Sequence, residues 1–377
     1  MGKTSIREAA DYGQSIWLDS ISRSLIESGE ISRFIKQGLR GLTSNPTIFE
    51  KAIGQGNDYD NRIIGLISSG KAVFDVYDEL TVGDIQDAAD LFLDVYKSTN
   101  GLDGYVSLEV NPELAHNTQA TIKEGLRLFE KAQRRNLMIK VPATDNGFEA
   151  VEELISRGIN VNVTLIFSLR QYQKTASSYI NGIKRYSDKG GDIKNVRSVA
   201  SVFVSRIDTV VDNLIDSKLK EASAGQVKQL QLLKGKAAVS NSHIIWSEYN
   251  KIFSSAEAKE LAAKGMNLQR VLWGSTGTKN PEYSDIKYIT ELIAKDTVNT
   301  VPQNTYEAFL DHGVVKEAFA CDSACACEII NKLEEIGIGI DVVCEELLKK
   351  GVEAFKNSFT SLLDTIKKKQ ERMLSEI

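Results

Sequence analysis

Short apolar runs alternate with longer amphipathic stretches along most of this chain. The runs at 15–18, 39–43, 105–110, 137–141, 160–165, 199–204, 270–273 and 297–301 are mostly rich in Val, Ile and Leu. Each is too short for a helix, and each reads as a strand buried on both faces. The segments between them are helical in pattern. The clearest, 113–135, sets Leu114, Thr118, Ile122, Leu126 and Phe129 along one side. Another occupies 168–186. Eight strands, each followed by helix, predict an α/β fold, a single (β/α)8 TIM barrel. A doubly wound open sheet is the alternative. No G-x-G-x-x-G follows the first strand, which removes the dinucleotide-binding version of that sheet, and there is no P-loop. The segment 208–264 is longer than one crossover needs and predicts additional helices. The tail, 340–373, carries Ile340, Val343, Leu347, Phe355, Phe359, Leu362 and Ile366. It predicts a long C-terminal helix packed across the barrel, within a helical extension of about 315–377. With no Pro-, Gly- or Ser-rich linker and no internal repeat, residues 1–377 read as one domain.

Composition narrows the function classes. The chain has 377 residues, 42% hydrophobic and 26% charged, which is ordinary globular usage. Its net charge is -5 and its basic residues are dispersed, so no nucleic-acid partner is expected. A positive site would be local and suited to a small anion. No apolar stretch reaches membrane-spanning length, and the first residues lack the apolar core of a signal peptide. The expected location is the cytoplasm, with no membrane partner. Three of the four cysteines, Cys321, Cys325 and Cys327, fall in the helical-looking segment CDSACAC, and the fourth is Cys344. No second ligand pair follows, so small buried or half-buried thiols are expected there. The three histidines, His116, His243 and His312, lack metal-ligand spacing. No metal and no cofactor are expected.

Candidate chemistry lies at the strand ends, where barrels place it. Lys140 closes the apolar run Leu137-Met138-Ile139-Lys140-Val141. A lysine there either snorkels to solvent or serves as the amine that forms a Schiff base with a carbonyl substrate. The other strand ends carry Asp19, Thr43-Ser44-Asn45, Glu109, Asn162 with Thr164, Ser201 with Phe203, and Ser275. Asn162 and Thr164 are two apart and share a face, as do Ser201 and Phe203. Polar groups at seven of eight strand ends mean a lined polar cavity. Two carboxylates and a lysine suit carbon–carbon cleavage beside a carbonyl: the imine draws electrons while the carboxyl groups move protons. Asp19 could instead cap a helix over 20–35, and Glu109 could be a paired structural carboxylate. Ser275-Thr276-Gly277-Thr278-Lys279 follows a strand and precedes a helix. It reads as a phosphate cradle or a simple polar turn. Arg206 lies just past another strand end.

Together the segments IWLDSISR, GLTSNPTIF, SLEVNP, MIKVPAT, INVNVTLIFS, SVFVSRID, LWGSTGTKNP and DTVNTVP resemble the transaldolase family, in the family's order. They span roughly residues 15–310, and EELLKKGVEAFKNSFTSLL is similar to the family's final helix. The likeness is greatest to the longer bacterial subfamily, within the class I Schiff-base aldolases. It implies a metal-free transfer of a dihydroxyacetone unit from sedoheptulose 7-phosphate to glyceraldehyde 3-phosphate, giving erythrose 4-phosphate and fructose 6-phosphate in the pentose phosphate pathway. The resemblance makes Lys140 the Schiff-base lysine and Asp19 the proton shuttle at the donor's C4 hydroxyl. On the same resemblance Glu109 would act through a water that Thr164 orients, Asn45, Asn162 and Ser201 would hold hydroxyls, and Arg206, Ser275 and Lys279 would hold phosphate. Many members carry an arginine where this chain has Lys279 in a longer loop. SVFVSR replaces SPFVGR and keeps Ser201, Phe203 and Arg206 in register. The nearest alternative is a fructose-6-phosphate aldolase, whose representatives resemble this chain but carry Tyr and Gln where it has Phe203 and Glu109. A sugar-phosphate-binding barrel without catalysis is a further alternative. Sugar phosphates are the expected partners, and the chain is expected as a monomer or homodimer.

Overall fold

Side chains alternate along a strand, and here the alternation sorts two cores. Ile16 and Leu18 join the large outer cluster, whereas Trp17 joins a small inner one with Tyr105, Met138, Val199, Leu272 and Val298. The computed structural model describes residues 4–54, 56–320 and 322–375. It is a closed barrel of eight parallel strands in sequence order. These are β1 (Gln14–Leu18), β2 (Leu42–Thr43), β3 (Val106–Glu109), β4 (Leu137–Pro142), β5 (Val161–Ile166), β6 (Ser198–Phe203), β7 (Arg270–Gly274) and β8 (Thr297–Val301). β8 pairs back on β1 from Gln14↔Thr297 to Leu18↔Val301, closing the ring. The open-sheet alternative is thereby excluded.

The barrel interior is layered. At its N-terminal end Arg270 donates to Asp103 Oδ1 at 2.8 Å, to Ser15 Oγ at 2.9 Å and to the Leu102 carbonyl at 2.7 Å. Ser15 and the Trp17 indole also donate to Asp103. This buried charge pair is acceptable because several polar partners satisfy it. Above it lies the apolar inner cluster. Gly41 is required at this level, since a Cβ there would stand 2.6 Å from the Trp17 ring. The third layer, at the C-terminal end, is polar.

Several expected elements change at their ends. The run 39–43 is a strand only over Leu42–Thr43. The helix expected over 113–135 is a 3-10 turn, Pro112–Leu114, and a helix, Thr118–Ala132. Asn117 restarts it by accepting from Ala120 N–H at 3.0 Å. Asp19 caps nothing: the segment after it forms two helices, Arg23–Glu27 and Glu30–Gln37, and Ser22 caps the first. The excess in 208–264 is helical, with Ser205–Leu219, Ala224–Leu233, Ala237–Phe253 and Ala256–Ala263. Cys321 lies outside the described residues. Cys325 and Cys327 are exposed rather than buried, because they lie on the outer side of the helix Ala324–Glu335, which buries Ala326 and Leu333; Cys344 is buried. No described helix is long and apolar enough to cross a membrane.

The C-terminal helix, Ile340–Ser375, packs on the helices Pro46–Gly54, Asp60–Ser68, Val73–Leu91 and Ser205–Leu219, and on β5. It therefore crosses the C-terminal end of the barrel, as its apolar stripe predicts.

Candidate active site

Strand register assembles the center of the site. Glu109 on β3 is the partner of Lys140 on β4, which is the partner of Asn162 on β5. All three point inward at one level. Lys140 is only 3% exposed. Its Nζ donates to the Ser44 carbonyl at 2.9 Å and stands 3.4 Å from Glu109 Oε2. The snorkelling reading therefore fails. Glu109 Oε2 has no hydrogen-bond partner among the described residues, so its pairing with Lys140 is loose. Burial pushes the Glu109 carboxyl up to about 7; the Lys140 charge opposes that rise, and the Asp19 charge adds to it.

Asp19 follows β1 on the opposite wall. Its Oδ1 accepts from Thr43 Oγ1 at 2.7 Å, and Thr43 Oγ1 stands 2.7 Å from Thr300 Oγ1. A hydroxyl has one proton, so Thr300 donates to Thr43 and Thr43 to Asp19. Burial raises the Asp19 pKa. Lys140, the Thr43 hydrogen bond, Arg206 and Lys279 act against that rise. The two carboxyls thus share one cationic neighbour and are both biased toward holding a proton.

Asn162 is held from two sides. Its Nδ2 donates to Ser107 Oγ at 3.0 Å, and Ser201 Oγ donates to its Oδ1 at 2.6 Å. Thr164 is two residues further along β5. Its hydroxyl is buried and makes no hydrogen bond among the described residues. The register of β5 against β6 shifts between Val163 and Ile166, with Leu165 in the left-handed region at φ 59°. This bulge ends regular pairing beside Thr164. Asn45 has a structural duty: its Oδ1 caps the helix Pro46–Gly54 by accepting from Ile48 N–H at 3.0 Å.

The cationic side of the mouth is built differently from expectation. The 275–279 loop does not lead straight into a helix. It runs on without regular structure to the short helix Lys287–Thr290, because Thr278 Oγ1 donates to the Ser284 carbonyl and folds the segment on itself. The nearby helix start is that of Ser205–Leu219, whose first residue bonds Ser275: Ser205 N–H donates to the Ser275 carbonyl at 3.1 Å. Ser275 itself adopts φ 52°. Arg206 lies in the first turn of that helix, its guanidinium 5.5 Å from the Phe203 ring centroid. Burial lowers the Arg206 pKa, and the Asp19 charge works the other way. Lys279 is exposed, yet its charge reaches Asp19. Phe203 stacks edge-on against Phe167 at 5.5 Å.

Residues 16–366 match the family model described as transaldolase/fructose-6-phosphate aldolase. The chain belongs to that family. Among curated relatives, it is similar to a transaldolase of Trichodesmium erythraeum, 47% identical over 97% of both chains. It is likewise similar to transaldolase 2 of a Nostoc species, 44% identical over 98% of both chains. A transaldolase of Saccharopolyspora erythraea is 40% identical over 98% of both. The two activities in the family's description leave transfer and aldol cleavage as the choices for this site.

Some site residues carried no sequence expectation. Ser107 shares the inward face of β3 with Glu109, so period-two counting could have found it. Thr300, which donates toward Asp19, could have been found the same way on β8. Phe355 could not: it appears in the sequence only as one member of an apolar stripe, yet its ring centroid is 6.0 Å from Lys140 Nζ.

Proposed function

We propose that this protein is a transaldolase, moving a dihydroxyacetone unit from sedoheptulose 7-phosphate to glyceraldehyde 3-phosphate through a Schiff base on Lys140. The observation that carries the reading is a buried lysine amine between two carboxyl groups whose pKa values burial raises. Lys140 Nζ attacks the donor's C2 carbonyl, and loss of water gives the imine. Asp19 takes the proton of the C4 hydroxyl as the C3–C4 bond breaks, and erythrose 4-phosphate leaves. The bond's electrons remain in an enamine on Lys140. The enamine carbon adds to the acceptor aldehyde, whose oxygen takes the proton back from Asp19. Hydrolysis then frees fructose 6-phosphate and the lysine.

Glu109 exchanges protons through a water during imine formation and hydrolysis, and the Thr164 hydroxyl, which has no partner among the described residues, orients that water. Asn162 and Ser201 hold donor hydroxyls, joined by Asn45 through its amide. Arg206, Ser275 and Lys279 hold the phosphate. Transfer is favoured over aldolase-type release because Phe203 offers no proton where a tyrosine would. A non-catalytic barrel would have no use for the Lys140, Glu109 and Asp19 constellation. One connected hydrophobic cluster runs from Ile6 to Ile366, which supports a single domain. We infer a cytoplasmic enzyme acting as monomer or homodimer; sedimentation at micromolar concentration distinguishes the two.

The experiment is borohydride reduction in the presence of fructose 6-phosphate, followed by peptide mapping. A dihydroxyacetone-sized adduct is expected on Lys140, and none on Lys140→Ala, which should also lose turnover while keeping its fold. Turnover by a folded Lys140→Ala variant would sink the assignment.

A further inference from the structure

The Schiff-base reading leaves one problem, which is how the enamine survives until the acceptor arrives. A proton from solvent at the enamine carbon gives back an iminium. Water then adds at its carbon, the carbon–nitrogen bond breaks, and dihydroxyacetone leaves with Lys140 regenerated as an amine. The first step, which commits the unit to release, needs solvent water at the enamine carbon, beyond the one water that Glu109 and Thr164 would hold. The residue placed to limit that access comes from the C-terminal helix rather than from the barrel.

Phe355 is 3% exposed, with its ring centroid 6.0 Å from Lys140 Nζ. Its neighbours on the same helix face are buried too: Val352, Phe359, Leu362 and Ile366. Phe359 packs edge-on against Tyr77 at 5.2 Å. One turn before Phe355, the helix carries Gly351, and a Cβ there would stand 2.9 Å from Leu165 Cδ2. Glycine inside a helix costs about 1 kcal/mol relative to alanine. Here it allows a close approach to the bulged end of β5, beside Thr164. The approach seats the following turn, and with it Phe355, over the lysine. An aromatic face also favours a nearby cation, which includes the iminium.

We propose that Phe355 is a specificity-determining residue, a hydrophobic wall over Lys140 that favours transfer of the bound three-carbon unit over its release as free dihydroxyacetone. The proposal rests on the Schiff-base reading above. It predicts that shortening the side chain changes the partition of one intermediate, and a loss of folded protein cannot imitate that change. Misfolding lowers release and transfer by the same factor and leaves their ratio alone.

The test compares wild type, Phe355→Ala and Phe355→Leu with fructose 6-phosphate. Free dihydroxyacetone is measured without acceptor, and transfer is measured with erythrose 4-phosphate. The release-to-transfer ratio should rise on the order of 10-fold in Phe355→Ala and stay near wild type in Phe355→Leu, which still fills the space. Phe355→Val carries the same comparison where the alanine variant does not fold. An unchanged ratio, with the Lys140 adduct still trapped by borohydride, overturns the role of Phe355 alone. Absence of that adduct in the wild type overturns the Schiff-base reading itself.

Discussion

At the scale of single residues, Glu109 joins burial to pH. Burial puts its carboxyl at about 7. Below that pH it holds a proton and cannot accept one. With Glu109 as the base, kcat/KM should fall about tenfold per unit as pH drops below 7. Glu109→Gln should lack this limb and lose about 10²–10⁴-fold in rate, as positioned acid–base groups do. A pH–rate profile of both proteins checks this. The stability sign is the reverse of that for an ordinary salt-bridged carboxylate. An unfolded carboxyl releases its proton near its ordinary value of 4.5, whereas the folded one keeps it until about 7. This group's contribution is therefore complete below 4.5 and is lost as pH rises through 7. Arg206 offers a second residue-scale test. Its positive charge has no ion-pair partner among the described residues, and it lies beside Ser275. Arg206→Ala should raise KM for phosphorylated donors about 10–100-fold, the loss of one charge-assisted hydrogen bond or two. It should leave kcat/KM for unphosphorylated fructose nearly unchanged.

At the scale of elements, one steric constraint lies where the start of β2 approaches β1. Gly41→Ala would place a methyl group 2.6 Å from the rigid Trp17 ring. A fall in stability of about 1–3 kcal/mol is expected, read as a lower urea midpoint with unchanged slope. Elements were also the most legible level of the sequence. The strands of a parallel barrel are buried on both faces, so 137–141 and 297–301 stand out as runs that are apolar or β-branched at every position but one, Lys140 and Asn299 respectively. The candidate groups at their ends were legible for the same reason: Lys140 and Ser201 interrupt runs that are otherwise apolar, and Asn162 alternates with Val161 and Val163. What was not legible depended on caps and long-range contact. The break at Asn117 needed the cap geometry, because the apolar periodicity runs through it. Phe355 meets Lys140 across much of the chain, and no local pattern encodes that meeting. The 275–279 loop misled because the helix start beside Ser275 belongs to a different strand–helix unit.

At the scale of the whole molecule, the two ends of the barrel have separate tasks. Chemistry groups crowd the C-terminal end, while the N-terminal end is closed by the Arg270–Asp103 pair. Asp103→Ala would leave Arg270 buried without its counter-charge, at a cost of about 3–5 kcal/mol. Thermal denaturation should show that loss, whereas kcat per folded molecule at moderate temperature should stay near wild type. A proportionate loss of kcat would mean that the two ends are coupled.

The path of the C-terminal helix also orders events during synthesis. β1 finds its final neighbour only once β8 has been made, so the ring cannot close while residues 297–301 are still inside the ribosome. The segment that lies over Lys140 emerges later still. A nascent chain therefore carries Lys140 uncovered until Phe355 arrives. The helix that crosses the mouth of the barrel is therefore the last part of the candidate site to be synthesised, and its arrival completes the burial of Lys140.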